Sequence, residues 1–227
     1  KEQFWENQAN ALSWYTKPKT VLGKDKYGYP QWFVDGKLNV SYLCIDKHIE
    51  DGHGEQDAII YDSPVTKTKE HISFYKLHHE VSKLAGGLQA LGLSKGDTVI
   101  IYMPMIPQAL YAMLACARLG VIHSVVFGGF APHELAIRLD DCRPKAIITA
   151  SNGIEIERII PYKPFVDEAI TLAESKPEHV IVYDRNLGVE IPYKPYDVDY
   201  AELVSKSVSI EPIPVESNHP LYILYTS

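Results

Sequence analysis

One stretch limits the fold more than any other: residues 97–142, which read as strand, helix, strand, glycine turn and helix. Residues 98–102 (TVIIY) are a short apolar run, the pattern of a parallel strand buried on both faces, because a half-solvated strand alternates polar residues. Pro107 suits the first turn of the next helix, where its missing N–H has no partner to lose, and Gly120 can close that helix in a left-handed conformation. Leu110, Met113, Leu114 and Ala117 form its expected apolar stripe, and Ala112, Ala115 and Cys116 are small enough to let it lie close on a sheet. A second apolar strand, 122–127, runs into Gly128 and Gly129, and the following helix has Leu135, Leu139 and Cys142 on its inner face. Open α/β sheets bind ligands beyond the carboxyl ends of their strands, and the first amides of a helix have no intrahelical partner. The turn can therefore receive an anionic or carbonyl-bearing ligand, or it can be a tight connection that needs glycine only for its dihedral angles. It lacks the G-x-G-x-x-G spacing of a dinucleotide fingerprint, which disfavours a nicotinamide-dependent enzyme.

The same alternation extends along the chain. Helical spacing of Leu77, Val81, Leu84, Leu88 and Leu91 predicts a helix stopped by Gly92, in which Gly86 and Gly87 call for close packing to offset their poor propensity. Strands are expected at 145–150, 179–183 and 221–227, helices at 166–173 and 200–204, and a hairpin from 57–62 and 71–75. Residues 185–220 read mostly as loop, broken by Pro192, Pro195, Pro212 and Pro214. Asn39 or Ser41 is expected to cap a helix over 39–49. The aromatic pairs Phe4-Trp5, Trp14-Tyr15 and Trp32-Phe33 suggest a segment that wraps a larger body. The predicted organisation is thus an N-terminal wrapping segment, 1–56, and an α/β subdomain, 57–227, with a mostly parallel sheet covered by helices on both faces. An apolar strand that stops at 227, at the rim where function belongs, suggests the front portion of a longer protein.

A net charge of −7 with no basic run argues against nucleic acid, and no stretch approaches the roughly 20 apolar residues that cross a bilayer. Cys44, Cys116 and Cys142 are odd in number and widely spaced, which fits reduced thiols inside a cell. His78 and His79 are neighbours that diverge by about 100° on a helix, so a solvated pair is expected there rather than a metal site.

Taken in order, the motifs at 38–42 (LNVSY), 46–48 (DKH), 96–97 (GD), 101–105 (IYMPM), 112–120 (AMLACARLG), 123–130 (HSVVFGGF), 138–141 (RLDD) and 220–227 (PLYILYTS) resemble the amino-terminal part of an AMP-forming short-chain acyl-CoA synthetase. This is the acetyl- and propionyl-CoA synthetase branch of the adenylate-forming superfamily. Residues 60–66 (IYDSPVT) and 153–155 (GIE) are more similar to the propionate-type members. The resemblance implies the front of the large N-terminal domain of such an enzyme, with ATP, Mg2+, coenzyme A and a short carboxylate as small-molecule partners and the remainder of its own chain as a further one. It implies a cytoplasmic protein, or one of the mitochondrial matrix. The implied reaction joins acetate or propionate to AMP, then to the thiol of coenzyme A. It needs positioning and positive charge more than acid–base chemistry, because the carboxylate is already ionised at pH 7.

The resemblance also implies roles for individual residues. Thr226 and Ser227 match the opening of a glycine-rich loop that wraps the ATP phosphates, whose glycines and lysine would follow Ser227. Gly128 and Gly129 match the turn lining the coenzyme A path, and Arg158 matches the second of two arginines that meet its phosphorylated nucleotide end. The first of those arginines is replaced by Glu155, and the glycine before the second by Glu157, which weakens attraction for an anion. No catalytic residue is expected within 1–227, so the chain alone is expected to be inactive. The alternative is a non-catalytic α/β module that binds a nucleotide or a partner.

Overall fold

The computed structural model describes all residues except Lys1, Phe130, Glu157, Val189, Thr226 and Ser227. The chain begins with α1 (Glu2–Ala9), an antiparallel pair β1 (Leu22–Lys24) and β2 (Pro30–Trp32), and β3 (Lys37–Leu38). A π-helical turn, Tyr42–Asp46, runs into α2 (Lys47–Glu50). The antiparallel hairpin β4 (Asp57–Ser63) and β5 (Thr68–Ser73) leads into α3 (Phe74–Ala90). Then come β6 (Thr98–Met103), α4 (Pro107–Leu119), β7 (Ile122–Phe127), α5 (Pro132–Cys142) and β8 (Ala146–Ala150). A small hairpin, β9 (Gly153–Glu155) and β10 (Arg158–Ile160), precedes α6 (Tyr162–Leu172), β11 (His179–Tyr183), β12 (Asp197–Asp199), α7 (Tyr200–Lys206) and β13 (Val215–Glu216).

Five of these strands form one sheet in the order β12-β11-β8-β6-β7, every neighbouring pair parallel. Side chains alternate across it. Val99, Ile101 and Met103 of β6 face a core with α3 and α4, whereas Ile100 and Tyr102 face a second core with α5 and α6. Helices therefore cover both faces, as the alternating pattern predicts.

Several local expectations change. β7 lies at the edge of the sheet, so its apolar run is not buried on both sides: Val125 and Phe127 are exposed. Helix α4 turns its small residues to the core. Ala112, Ala115 and Cys116 are fully buried while Leu110, Met113 and Leu114 are only half-buried, because small side chains let the helix axis approach the strands. Residues 221–225 make one parallel bridge, Tyr222 to His123, rather than a buried strand, and Leu224 is exposed. Strand β12 and strand β13 fall in the stretch expected to be loop. Residues 74 and 75 belong to α3 rather than to the hairpin, since Ser73 accepts a hydrogen bond from the Lys76 amide and caps the helix there.

Of the two expected caps, Asn39 serves. Its Oδ1 accepts from the Tyr42 amide, while its Nδ2 donates to the carbonyls of Ala117 at 2.9 Å and Ile213 at 2.8 Å, tying the amino-terminal arm to the sheet domain. Nor is His78 a solvated residue, for it approaches Asp46 at 3.3 Å beside Arg118, while His79 is exposed.

The glycines of α3 are closely approached, Gly86 by backbone and Gly87 by side chains of α7 and Ser207. A Cβ on Gly86 would overlap the carbonyl oxygen of Val208, and one on Gly87 would come within 2.7 Å of Leu203 Cγ. Two effects oppose each other in Gly86→Ala. Helix propensity favours alanine by about 1 kcal/mol, but the overlapping atom is main chain and cannot swing aside. The expected result is a net loss of about 1–3 kcal/mol in urea unfolding, with α7 and residues 207–210 displaced. A gain in stability from Gly86→Ala would show that α3 and the Val208 carbonyl can separate at little cost.

Candidate functional site

The rim formed by the carboxyl ends of β6, β7, β8 and β11 carries Gly128 and Gly129, and the hairpin bearing Arg158 follows β8 there. After Phe127 the chain turns through Gly128, which is buried, and Gly129, which is exposed. Neither adopts a left-handed φ, so the bland account of this turn, glycine for its dihedral angles, fails. The requirement is space. A Cβ on Gly128 would lie 2.5 Å from Cε2 of Tyr162, and one on Gly129 2.8 Å from Cε1 of Phe127. The Gly128 carbonyl accepts a hydrogen bond from the Tyr102 hydroxyl at 3.4 Å.

Tyr162 joins this turn to the hairpin that carries Arg158. The other edge of its ring, Cε1, would be 2.5 Å from a Cβ on Gly153, so one phenol lies between two glycine backbones. Its ring centroid is 5.0 Å from that of Tyr102. Arg158 is exposed at the start of β10 and stands directly opposite Glu155 in the hairpin register. Glu157 is outside the described residues, as are Thr226 and Ser227. The segment leading towards them is nonetheless fixed at the edge of the sheet. The Ile223 amide donates to the His123 carbonyl at 2.9 Å, and the Tyr225 hydroxyl donates to Asp141 at 2.6 Å.

Three further residues on this rim escape sequence reasoning. Tyr162 is one. Arg185 is another: its Nη1 donates to the Asn152 carbonyl at 3.3 Å, and its amide donates to the Ser151 hydroxyl at 3.0 Å. The third is Asn152, 1% exposed, whose Nδ2 has no hydrogen-bond partner among the described residues. Burial pushes the Tyr162 phenol up, with Arg185 pulling it down and Glu155 pushing it further up. It is therefore a neutral cover at pH 7 rather than a base. A tyrosine that follows a hairpin and opens a helix has no motif of its own, and only the two glycines it contacts betray it. The rim thus offers exposed backbone, a guanidinium and a neutral phenolic wall, which suits holding an anionic or amide-bearing ligand and not moving protons.

The family model described as AMP-binding enzyme matches residues 47–227. The chain belongs to the AMP-binding enzyme family. A second model, described as the Acetyl-coenzyme A synthetase N-terminus, matches residues 1–44. Among relatives of this family, the chain is 52% identical to the Acyl-CoA synthetase short-chain family member 3, mitochondrial, of Bos taurus, over 100% of its own length and 33% of that protein. It is 42% identical to the Acetyl-coenzyme A synthetase of Streptomyces avermitilis, over 99% of its length and 34% of that protein. The solved structure of the acetoacetyl-CoA synthetase from Streptomyces lividans superposes with a TM-score of 0.86 at 25% identity, covering 99% of this chain and 34% of that one. The 227 residues therefore span about a third of the length of the AMP-binding enzymes they match. The expected kinship with the amino-terminal part of short-chain acyl-CoA synthetases is borne out, and with it the α/β fold. Among the described residues no helix is long and apolar enough to cross a membrane.

Proposed function

We propose that the intact protein is a short-chain carboxylate–CoA ligase acting on propionate or acetate, in the cytosol or the mitochondrial matrix. The observation carrying this reading is that the whole chain, arm and sheet domain together, matches acetyl- and short-chain acyl-CoA synthetases at 42–52% identity. In the first step a carboxylate oxygen attacks the α-phosphorus of ATP, pyrophosphate leaves, and an acyl-adenylate forms. In the second the sulfur of coenzyme A attacks the acyl carbon, the thiol loses its proton, and AMP leaves with the electron pair of the broken C–O bond.

In this reading Gly128 and Gly129 present bare main chain along the path of coenzyme A, and Tyr162 fixes the depth of that path by filling the space behind Gly128. Arg158 meets phosphate from the exposed side of its hairpin, against the opposing charge of Glu155. Thr226 and Ser227 contribute hydroxyls to the ATP phosphates. Mg2+ would arrive with the nucleotide. No group of three or more His, Cys, Asp or Glu among the described residues could hold it, so these residues do not account for it.

The test uses pyrophosphate exchange and thioester formation as separate readouts. The full chain is expected to catalyse ATP–pyrophosphate exchange that depends on propionate or acetate, whereas residues 1–227 produced alone show none. Gly128→Ala in the full chain, by displacing Tyr162, is expected to slow thioester formation at least about tenfold while exchange stays within about twofold. A full chain that shows no carboxylate-dependent exchange would instead be the non-catalytic module. Relative kcat/KM for propionate and acetate decides between the two acids.

A further inference from the structure

Residues 221–225 run along the outer edge of β7, and their tethers change kind just before Thr226. As far as Ile223 the segment is held through its main chain. The His123 amide donates to the Leu221 carbonyl at 3.3 Å, the Ile223 amide to the His123 carbonyl at 2.9 Å, and the Ser124 hydroxyl to the Ile223 carbonyl at 3.1 Å. Among the described residues no main-chain hydrogen bond of the segment follows, and Leu224 is exposed. Tyr225 is held by its side chain instead. Its hydroxyl donates to Oδ2 of Asp141 at 2.6 Å, and the Arg138 guanidinium lies 5.1 Å from its ring centroid.

Both partners stand near the end of α5, and that end is itself fixed. Leu139 is fully buried, Asp140 accepts from the amides of Glu174 and Ser175 at 2.7 and 2.8 Å, and Arg138 Nη1 donates to the Glu134 carbonyl at 2.7 Å. A hydroxyl bonded to a carboxylate is held more firmly than one bonded to a neutral acceptor. A loop that takes up several phosphates must become ordered as it does so, and any free residue before it adds conformational entropy to be lost. Residues 224 and 225 would be such a gap after the last main-chain bond. The contact with Asp141 closes it in advance.

We propose that Asp141, acting through the Tyr225 hydroxyl, is a positioning residue for the phosphate-binding loop that opens at Thr226, fixing its start against α5 before ATP arrives. This rests on the reading of Thr226 and Ser227 as ligands of the ATP phosphates.

The experiment measures binding of MgATP and of AMP to the full chain by calorimetry, with carboxylate-dependent pyrophosphate exchange as a separate assay. AMP lacks the two terminal phosphates, so order in the loop should matter to ATP and not to AMP. Tyr225→Phe keeps the ring beside Arg138 and removes only the hydroxyl; it is expected to weaken ATP about fivefold and AMP by less than about twofold. Asp141→Ala should match it, whereas Asp141→Asn, whose amide oxygen still accepts, should recover most of the loss. Tyr225→Phe combined with Asp141→Ala should be no weaker than either alone, because both remove the same contact. Asp141 is exposed and Tyr225 half-buried, so the variants are expected to fold. Equal weakening of ATP and AMP, or an unaltered ATP affinity in Tyr225→Phe, would overturn the proposal and leave the bond a local brace. A wild-type chain that binds ATP without exchange would count against the ligase reading and leave these comparisons standing, while one that binds no ATP would overturn both.

Discussion

Replacing Arg118 with leucine is expected to lower the free energy of unfolding by about 3–5 kcal/mol, a fall in Tm on the order of 10 °C. The guanidinium is fully buried on α4 and clasps Asp46 in two bonds of 2.7 and 2.8 Å, while its Nε donates to the Ile210 carbonyl at 2.7 Å. Removing it leaves a carboxylate in the interior with only His78 beside it, and frees two segments distant in sequence. Burial by itself would raise the Asp46 carboxyl, but hydrogen bonds from His78 and Arg118 outweigh burial and hold it at about 2, against an ordinary 3.8. The folded-state value is the lower one, so the pair stabilises fully above about pH 3.8 and loses its contribution as pH falls towards 2. Urea midpoints of wild type and Arg118→Leu, far apart at pH 7, should therefore begin to converge below pH 4. A gap that stays constant across that range would mean that leucine costs packing rather than charge compensation.

Lys163→Met is expected to have an effect of the same order, about 3–5 kcal/mol, for a related reason. The ammonium is fully buried at the start of α6 and lies 2.9 Å from Asp197, also fully buried, and 2.6 Å from Asp167, whose carboxylate accepts from the Tyr196 hydroxyl at 3.0 Å. Methionine matches its length but leaves two carboxylates facing each other at the β12 edge. Adding Asp197→Leu should restore at least half of the loss, since the replaced charge no longer needs a partner. Failure of that double variant to recover any stability would place the cost in helix packing.

The parts of the fold legible in the sequence are those specified by local chemistry. The runs at 98–102 and 145–150 carry the pattern of strands buried in a parallel sheet, and Gly120 closes α4 at a φ of 65°, as its position after the helix foretold. Asp197-Val198-Asp199 was illegible as a strand because its acids look solvated, whereas Asp197 neutralises Lys163 across the core and Asp199 caps α7 through the Glu202 amide. Arg118 was equally hidden: a lone cation in an apolar helix reads as solvent-facing until the chain brings Asp46 beneath it. Residues 221–225 misled in the other direction. Their apolar run is real, but it borders an edge strand and stays half covered. At the rim, the glycine pair was visible by motif while its cause, the Tyr162 ring, required the tertiary structure.

The link from Asn39 to the carbonyl of Ile213 spans 174 positions, and Gly86 waits for Val208. During synthesis on the ribosome, the arm and α3 emerge long before these partners exist. Until then the nascent chain exposes the glycine face of α3 and lacks the contact that latches its first segment. Distant pairing of this kind slows folding, and it leaves the closing of the first segment to the arrival of residues 208–213.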